Sequence, residues 1–160
     1  MTHFTARCRG TALSLLLGSA TLMATGALGV APARADAPAA TVDLDLTFHV
    51  HKYAKGTLMI AVFDSESAYA AGDKPVRVLK LDVSGDTVHA VLPGLKAGRY
   101  GIKLFHDLNG SGKLTTNLFG IPTEPVAFSN NAKVNMRAPN WTEASFEASP
   151  GAAAQSIDID

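Results

Sequence analysis

The ten residues TVDLDLTFHV, Thr41 to Val50, carry an apolar side chain at every second position. Val42, Leu44, Leu46, Phe48 and Val50 share one face, while Asp43, Asp45, Thr47 and His49 share the other. A period of two matches the alternating Cβ directions of a strand and conflicts with the 3.6-residue period of a helix. A chain with such a segment must build a sheet with one dry face, and a second layer must cover that face.

The following segments repeat the demand. TLMIAVFD, Thr57 to Asp64, is almost continuously apolar and predicts a central strand. Further strands are expected at Val76–Val83, Thr87–Leu92 and Arg99–His106, with shorter ones at Ala132–Arg137, Glu143–Ala148 and Gln155–Ile159. Tyr53 to Gly56, Ser84-Gly85-Asp86 and PGLKAG supply turns, and Ser65 with Gly72 brackets one short helical turn. Leu95, Gly98 and Tyr100 fit a corner in which the tyrosine hydroxyl ties back the preceding turn. The fold class expected is all-β, an antiparallel β-sandwich of about seven strands with one long ordered loop.

The N-terminal part reads differently. Arg7 and Arg9 precede an apolar, small-residue run from Thr11 to Val30, and Ala33-Arg34-Ala35 follows. This is the layout of a secretory signal, which predicts a signal peptide over residues 1–35, a flexible leader over 36–41 and one domain over 42–160. Cleavage after Ala35 removes the single cysteine, Cys8, and with it any disulfide or thiol chemistry. It also removes Arg7, Arg9 and Arg34 from 14 basic residues and nothing from 14 acidic ones, leaving a balance of about −3. Such a chain lacks the clustered positive charge that nucleic acid requires. No later segment is apolar enough to span a bilayer, so a periplasmic or secreted protein is expected.

One stretch departs from the β pattern: HDLNGSGKLTTNLFGIPTEPVAFSNN, residues 106–131. Asp107, Asn109, Ser111 and Gly112 follow the first half of a calcium loop, with the Lys113 carbonyl and Thr115 as the next ligands. Leu118 stands where a bidentate carboxylate would close the site, and Glu124 reaches it only if the chain folds back at Pro122. The competing reading is an Asx-rich turn closed by its own backbone. His106 is expected to anchor the loop by a hydrogen bond. Phe119, Ile121, Val126 and Phe128 are expected to pin it, and Asn130-Asn131 to take positive φ. A second candidate, His49-x-His51 with His89, has the spacing of a zinc or copper pair in a strand, set against two solvent-facing histidines.

The residues from GRYGIKLFHDLNGSGKL through NLFGIPTEPVAFSNNA to WTEASFE resemble the bacterial family DUF2141. Gly98, Tyr100, His106, Asp107, Asn109, Gly112, Asn117, Gly120, Pro122, Glu124, Phe128, Ser129, Asn130, Asn131, Ala144 and Phe146 occupy its pattern. The resemblance implies an exported single-domain sandwich, immunoglobulin-like or transthyretin-like, and implies no activity. Ser111, Thr115 and Pro125 depart from the pattern, and the first two are weaker metal ligands than the Asn and Asp of the family.

The function expected is a non-catalytic binding or accessory module of the periplasm. Its loop, residues 106–131, would be the recognition surface, with or without calcium. His106, Asp107, Asn109, Glu124, Ser129 and Asn130 are the expected contacts for a protein or glycan of the cell envelope. The alternatives are a hydrolase using His106 and Glu124, and a purely structural envelope protein.

Overall fold

The alternating stretch forms strand β1 (Thr41–Val50), with Val42, Leu44, Leu46, Phe48 and Val50 all buried. The computed structural model describes residues 40–160. The expected signal segment lies outside the described residues, as does the leader up to residue 39. Strands β2 (Thr57–Phe63), β3 (Arg77–Asp82), β4 (Thr87–Lys96) and β5 (Gly98–Asp107) follow, with helix α1 (Glu66–Ala71) between β2 and β3. The chain ends with β6 (Val126–Phe128), a 3-10 turn at Ser129–Asn131, helix α2 (Trp141–Ala144), β7 (Phe146–Ala148) and β8 (Ala154–Ile159).

The strands form two sheets. One has the order β4-β1-β8, and the other runs β3-β2-β5-β6 with β7 pairing onto β5. The apolar face of β1 packs on Leu58, Ile60, Val62, Ile102 and Leu104 from the second sheet, giving one core between the layers. The all-β, two-sheet architecture is therefore the one the alternation demands.

Several local expectations are corrected. The sandwich is not wholly antiparallel, because β8 runs parallel to β1 after the chain has crossed from the other sheet. PGLKAG is a turn only at its end: β4 continues to Lys96, a bulge absorbs Pro93 and Gly94 between the pairs Val42↔Leu95 and Leu44↔Leu92, and Ala97 alone connects β4 to β5. Ala132–Arg137 forms no strand, because no neighbouring strand pairs with it; Val126–Phe128 takes the place beside β5. The segment Glu143–Ala148 divides at Ser145, since Asn140 and Glu143 form a capping box that starts α2. The tyrosine corner is present, with the Tyr100 hydroxyl donating to the Lys96 carbonyl at 2.7 Å.

The outer face of the second sheet is also largely dry. Phe63, Tyr69, Phe128 and Ala144 make a second cluster there, under α1 and α2, with Trp141 against it. Gly101 permits this layer: a Cβ at that position would lie 2.9 Å from the Tyr69 ring and 3.0 Å from Trp141. Lys103 extends over the same ring, its Nζ 4.3 Å from the centroid. Burial, and behind it the Glu143 charge, pushes the Tyr69 hydroxyl up to about 12.

Candidate functional site

Strand β5 delivers His106 and Asp107 to the root of the long loop, where both are buried. They point to opposite faces, as successive strand residues must. His106 continues the core-facing row, and its Nε2 donates to the Lys55 carbonyl at 2.6 Å. The anchor is therefore made to the turn between β1 and β2 rather than to the loop itself, and His106 is a buried staple rather than a contact residue. A carbonyl can only accept, so Nε2 carries the hydrogen; Nδ1 is buried without a partner. Gly56 closes this junction: it has φ +92, and a Cβ there would sit 2.6 Å from the Asp107 carbonyl.

Asp107 faces the other way and organises the first turn of the loop. Its Oδ1 accepts from the Gly110 and Ser111 N–H groups at 2.7 and 3.2 Å, and its Oδ2 from Gly112 at 2.7 Å. The Gly112 N–H, helped by those of Gly110, Ser111 and Asn109, holds the Asp107 carboxyl below the usual carboxylate range, against the opposing pull of burial. The other expected calcium ligands are also occupied within the loop. Asn109 Oδ1 accepts from the Ser111 N–H, the Ser111 hydroxyl donates to the Lys113 carbonyl, and the Asn109 side-chain amide donates to the Thr115 hydroxyl. Among the described residues no three His, Cys, Asp or Glu side chains gather as a metal cage.

Beyond this turn the chain makes a small hairpin. Thr116 bridges Pro122, and both the N–H and the hydroxyl of Thr123 donate to the Thr115 carbonyl. Asn117 shapes the tip, its side-chain oxygen accepting from the Phe119 and Ile121 N–H groups at 2.9 and 3.0 Å. Glu124 locks the base by accepting from the Thr115 N–H with Oε2 at 3.0 Å, while its buried Oε1 has no partner. Glu124 does turn inward as the sequence suggested, but it meets backbone there.

The last part of the stretch is a structural knot. Ser129 is fully buried; its hydroxyl accepts from the Ile102 N–H at 2.8 Å and donates to the Ala144 carbonyl at 2.5 Å. Asn130 and Asn131 have φ 58 and 51, the positive values expected. The Asn130 amide donates to the Ser145 carbonyl, its N–H donates to Gln155 Oε1, and Asn131 Oδ1 accepts from the Asp158 N–H. Three consecutive side chains thus fasten β5, α2 and β8 together, which joins the two sheets. Ser129 is accordingly an internal tie and offers no surface to a ligand. The hydrogen-bonding side chain of Asn130 is turned to the protein.

One expectation is reversed. Phe128 is buried and Val126 partly so, but Phe119 is 87% exposed and Ile121 58%. They pin nothing. They border a groove of about 1040 Å³ on the outer face of the second sheet. Its floor includes Met59, Phe105 and Val126, and its far wall includes Val134 and Met136. Lys103, Glu124 and Arg137 supply its charged lining. The sequence carried a signal for it: β2 is apolar on both faces, so both faces of that sheet needed a cover.

The histidine pair is placed at the end of β1, the central strand of the first sheet. His49 Nε2 lies 3.1 Å from the Ser156 hydroxyl, His51 Nε2 3.4 Å from an Asp158 oxygen, and His89 Nδ1 3.1 Å from the Thr47 hydroxyl. Each ring has its own polar neighbour on an adjacent strand.

Comparison with known proteins adds one finding. The family described as "Uncharacterized protein conserved in bacteria (DUF2141)" matches residues 47–156, which takes in both sheets, the loop and the knot. No curated protein and no solved structure matches.

Proposed function

The chain belongs to the DUF2141 family, and from that starting point we propose that it is a non-catalytic binding module of the cell envelope. Its recognition surface is the groove beside the long loop together with the hairpin tip above it. The observation that carries this reading is the concentration of exposed apolar side chains at the groove, where Phe119 is 87% exposed and Met136 104%, and at the hairpin tip, where Leu118 is 101% exposed. Contiguous exposed apolar surface of this kind marks interaction sites in proteins that otherwise bury such residues. The envelope setting rests on the export signal expected over residues 1–35.

The polar residues of the loop serve the surface indirectly, by holding the hairpin up. A hydrolytic pairing of His106 with Glu124 is disfavoured by the strand register. The His106 N–H bonds to the Pro125 carbonyl, so His106 lies opposite Pro125, and Glu124 belongs to the other face. The mutual satisfaction of the Asp107, Asn109 and Ser111 oxygens favours a clasp over a cation. Added calcium is therefore expected to leave Tm unchanged after chelation, and a rise that disappears in Asp107→Ala would restore the cation reading.

Photo-crosslinking tests the binding surface. A photoreactive residue at position 119 should give discrete adducts in the cell envelope, and one at Val91, exposed on the opposite sheet, should not. Equal labelling at the two positions, or none at either, would sink the reading.

A further inference from the structure

We propose that the occupant of this surface is an anionic lipid bilayer, into which the hairpin tip and the neighbouring 132–138 segment insert. The inference rests on the binding-surface reading above and names its partner. Two segments on either side of β6 present bulky apolar side chains around one groove: Phe119 and Ile121 from one, Val134 and Met136 from the other. Leu118 stands fully exposed at the tip of the first. Side chains of this size at the extremity of a rigid loop suit the boundary between headgroups and acyl chains.

Charge decides between a bilayer and an apolar protein partner. Residues 108–138 contain four charged side chains: Lys113, Glu124, Lys133 and Arg137. Glu124 is buried, so every exposed charge on this stretch is positive. Arg137 is paired with Glu143 at 2.8 Å, while Lys113 and Lys133 are exposed and flank the apolar residues Leu114 and Val134 that line the groove. The chain as a whole is balanced at 14 basic and 14 acidic residues. The excess of exposed positive charge on this stretch is therefore local and not a feature of the composition. Apolar insertion with flanking lysines is the arrangement that anionic headgroups attract.

The hairpin is built to insert without unfolding. Asn117 satisfies the Phe119 and Ile121 N–H groups, and the Asn117 and Gly120 N–H groups bond to the Ile121 and Asn117 carbonyls. Four N–H groups of the tip, those of Asn117, Phe119, Gly120 and Ile121, thus enter the interface already bonded, which lowers the cost of placing them at a low-dielectric surface.

Vesicle flotation tests the inference. The full chain is used throughout, so residues 1–39, identical in every variant, contribute equally. Wild type should float with phosphatidylglycerol-containing vesicles and less with pure phosphatidylcholine ones. Leu118→Asp with Phe119→Asp should weaken partitioning about tenfold or more. Lys113→Glu and Lys133→Glu should each weaken it about fivefold, and only on the anionic vesicles. Val91→Asp, on the other sheet, should leave it unchanged. All five positions are exposed, and Tm of each variant reports whether the fold is intact. In Phe119→Trp, emission additional to that of Trp141 should shift to the blue on vesicles and be quenched by brominated acyl chains.

Flotation that ignores the tip and lysine substitutions would overturn the proposal. So would protein adducts at position 119 in cells together with no vesicle response, and that result would leave the binding-module reading standing. Failure of both experiments would remove both.

Discussion

Ser129–Asn131 and Asn117–Ile121 belong to one polar, glycine- and asparagine-rich stretch, and they behave in opposite ways. At the first, three consecutive side chains turn inward and join β5, α2 and β8. At the second, one asparagine side chain turns inward so that Leu118 and Phe119 can turn outward. Asparagine does the same job in both places, accepting or donating hydrogen bonds in turns that regular structure cannot close. The difference lies in what surrounds the turn. The knot sits between two sheets and is buried by them, whereas the hairpin leans over one sheet face and leaves its tip in solvent. Substitutions at the two ends of the stretch should therefore separate stability from binding.

The largest effect is expected at Ser129. Ser129→Ala would leave the buried Ile102 N–H and Ala144 carbonyl without their partner. Each orphaned group costs about 1–3 kcal/mol, so the variant should lose about 2–6 kcal/mol in urea unfolding. Wild-type stability in Ser129→Ala would break the claim that the knot joins the sheets.

Asn130 divides into two parts. Asn130→Ala keeps φ near 58 only under strain and also loses the bond to Ser145, and about 1–3 kcal/mol is expected. Asn130→Gly relieves the strain and loses only the side-chain bond, so it should recover part of that loss. Equal losses in the two variants would assign the whole effect to the amide and none to the backbone.

The root of the hairpin should show in acid. Asp107 is held below its ordinary pKa in the folded state, so its stabilisation is fully present above the unfolded value, about 3.9, and is lost as pH falls through the folded one. Tm of wild type should fall as pH is lowered below about 4. Asp107→Asn should melt lower at neutral pH, with a shallower acid slope. The slope that persists would belong to Glu143, whose carboxyl the Arg137 side chain and the Asn140 N–H also hold down. An unchanged acid slope in Asp107→Asn would show that the turn at Gly110–Gly112 does not depend on this carboxylate.

How much of this was legible in the sequence varies with the range of the interaction. The β1 face, the Tyr100 corner and the positive φ of Asn130 and Asn131 follow from local periodicity or from one residue's conformational preference. The knot's partners do not, because Ala144 and Ser145 reach it only through the placement of α2, and Gln155 and Asp158 only through the crossover between sheets. His106 was read as an anchor, but its acceptor, Lys55, lies 51 positions away. The groove was misread for a related reason. Phe119 and Ile121 have the same composition as the buried Phe128, and only the sheet pairing of Val126–Phe128 tells them apart. Apolar residues in a long loop were assigned to packing because burial is their usual fate, and an exposed apolar tip is a functional exception to that preference.

The smallest expected effect is the sharpest test of the contrast. Leu118→Ser and Phe119→Ser remove two large apolar side chains, which in the core would cost several kcal/mol between them. Here Leu118 is 101% exposed and Phe119 87%, so neither has contacts to lose in the folded state. The tip is held by Asn117 and by the Gly120 turn, with φ +75, and both substitutions leave these in place. Unfolding free energies should stay within about 0.5 kcal/mol of wild type. A loss well beyond that would mean that the tip folds down over the groove in solution, and Phe119 and Ile121 would then be pins for the loop after all. A stability unchanged by substitutions this drastic leaves interaction outside the chain as the physical reason for keeping Leu118 and Phe119 in water.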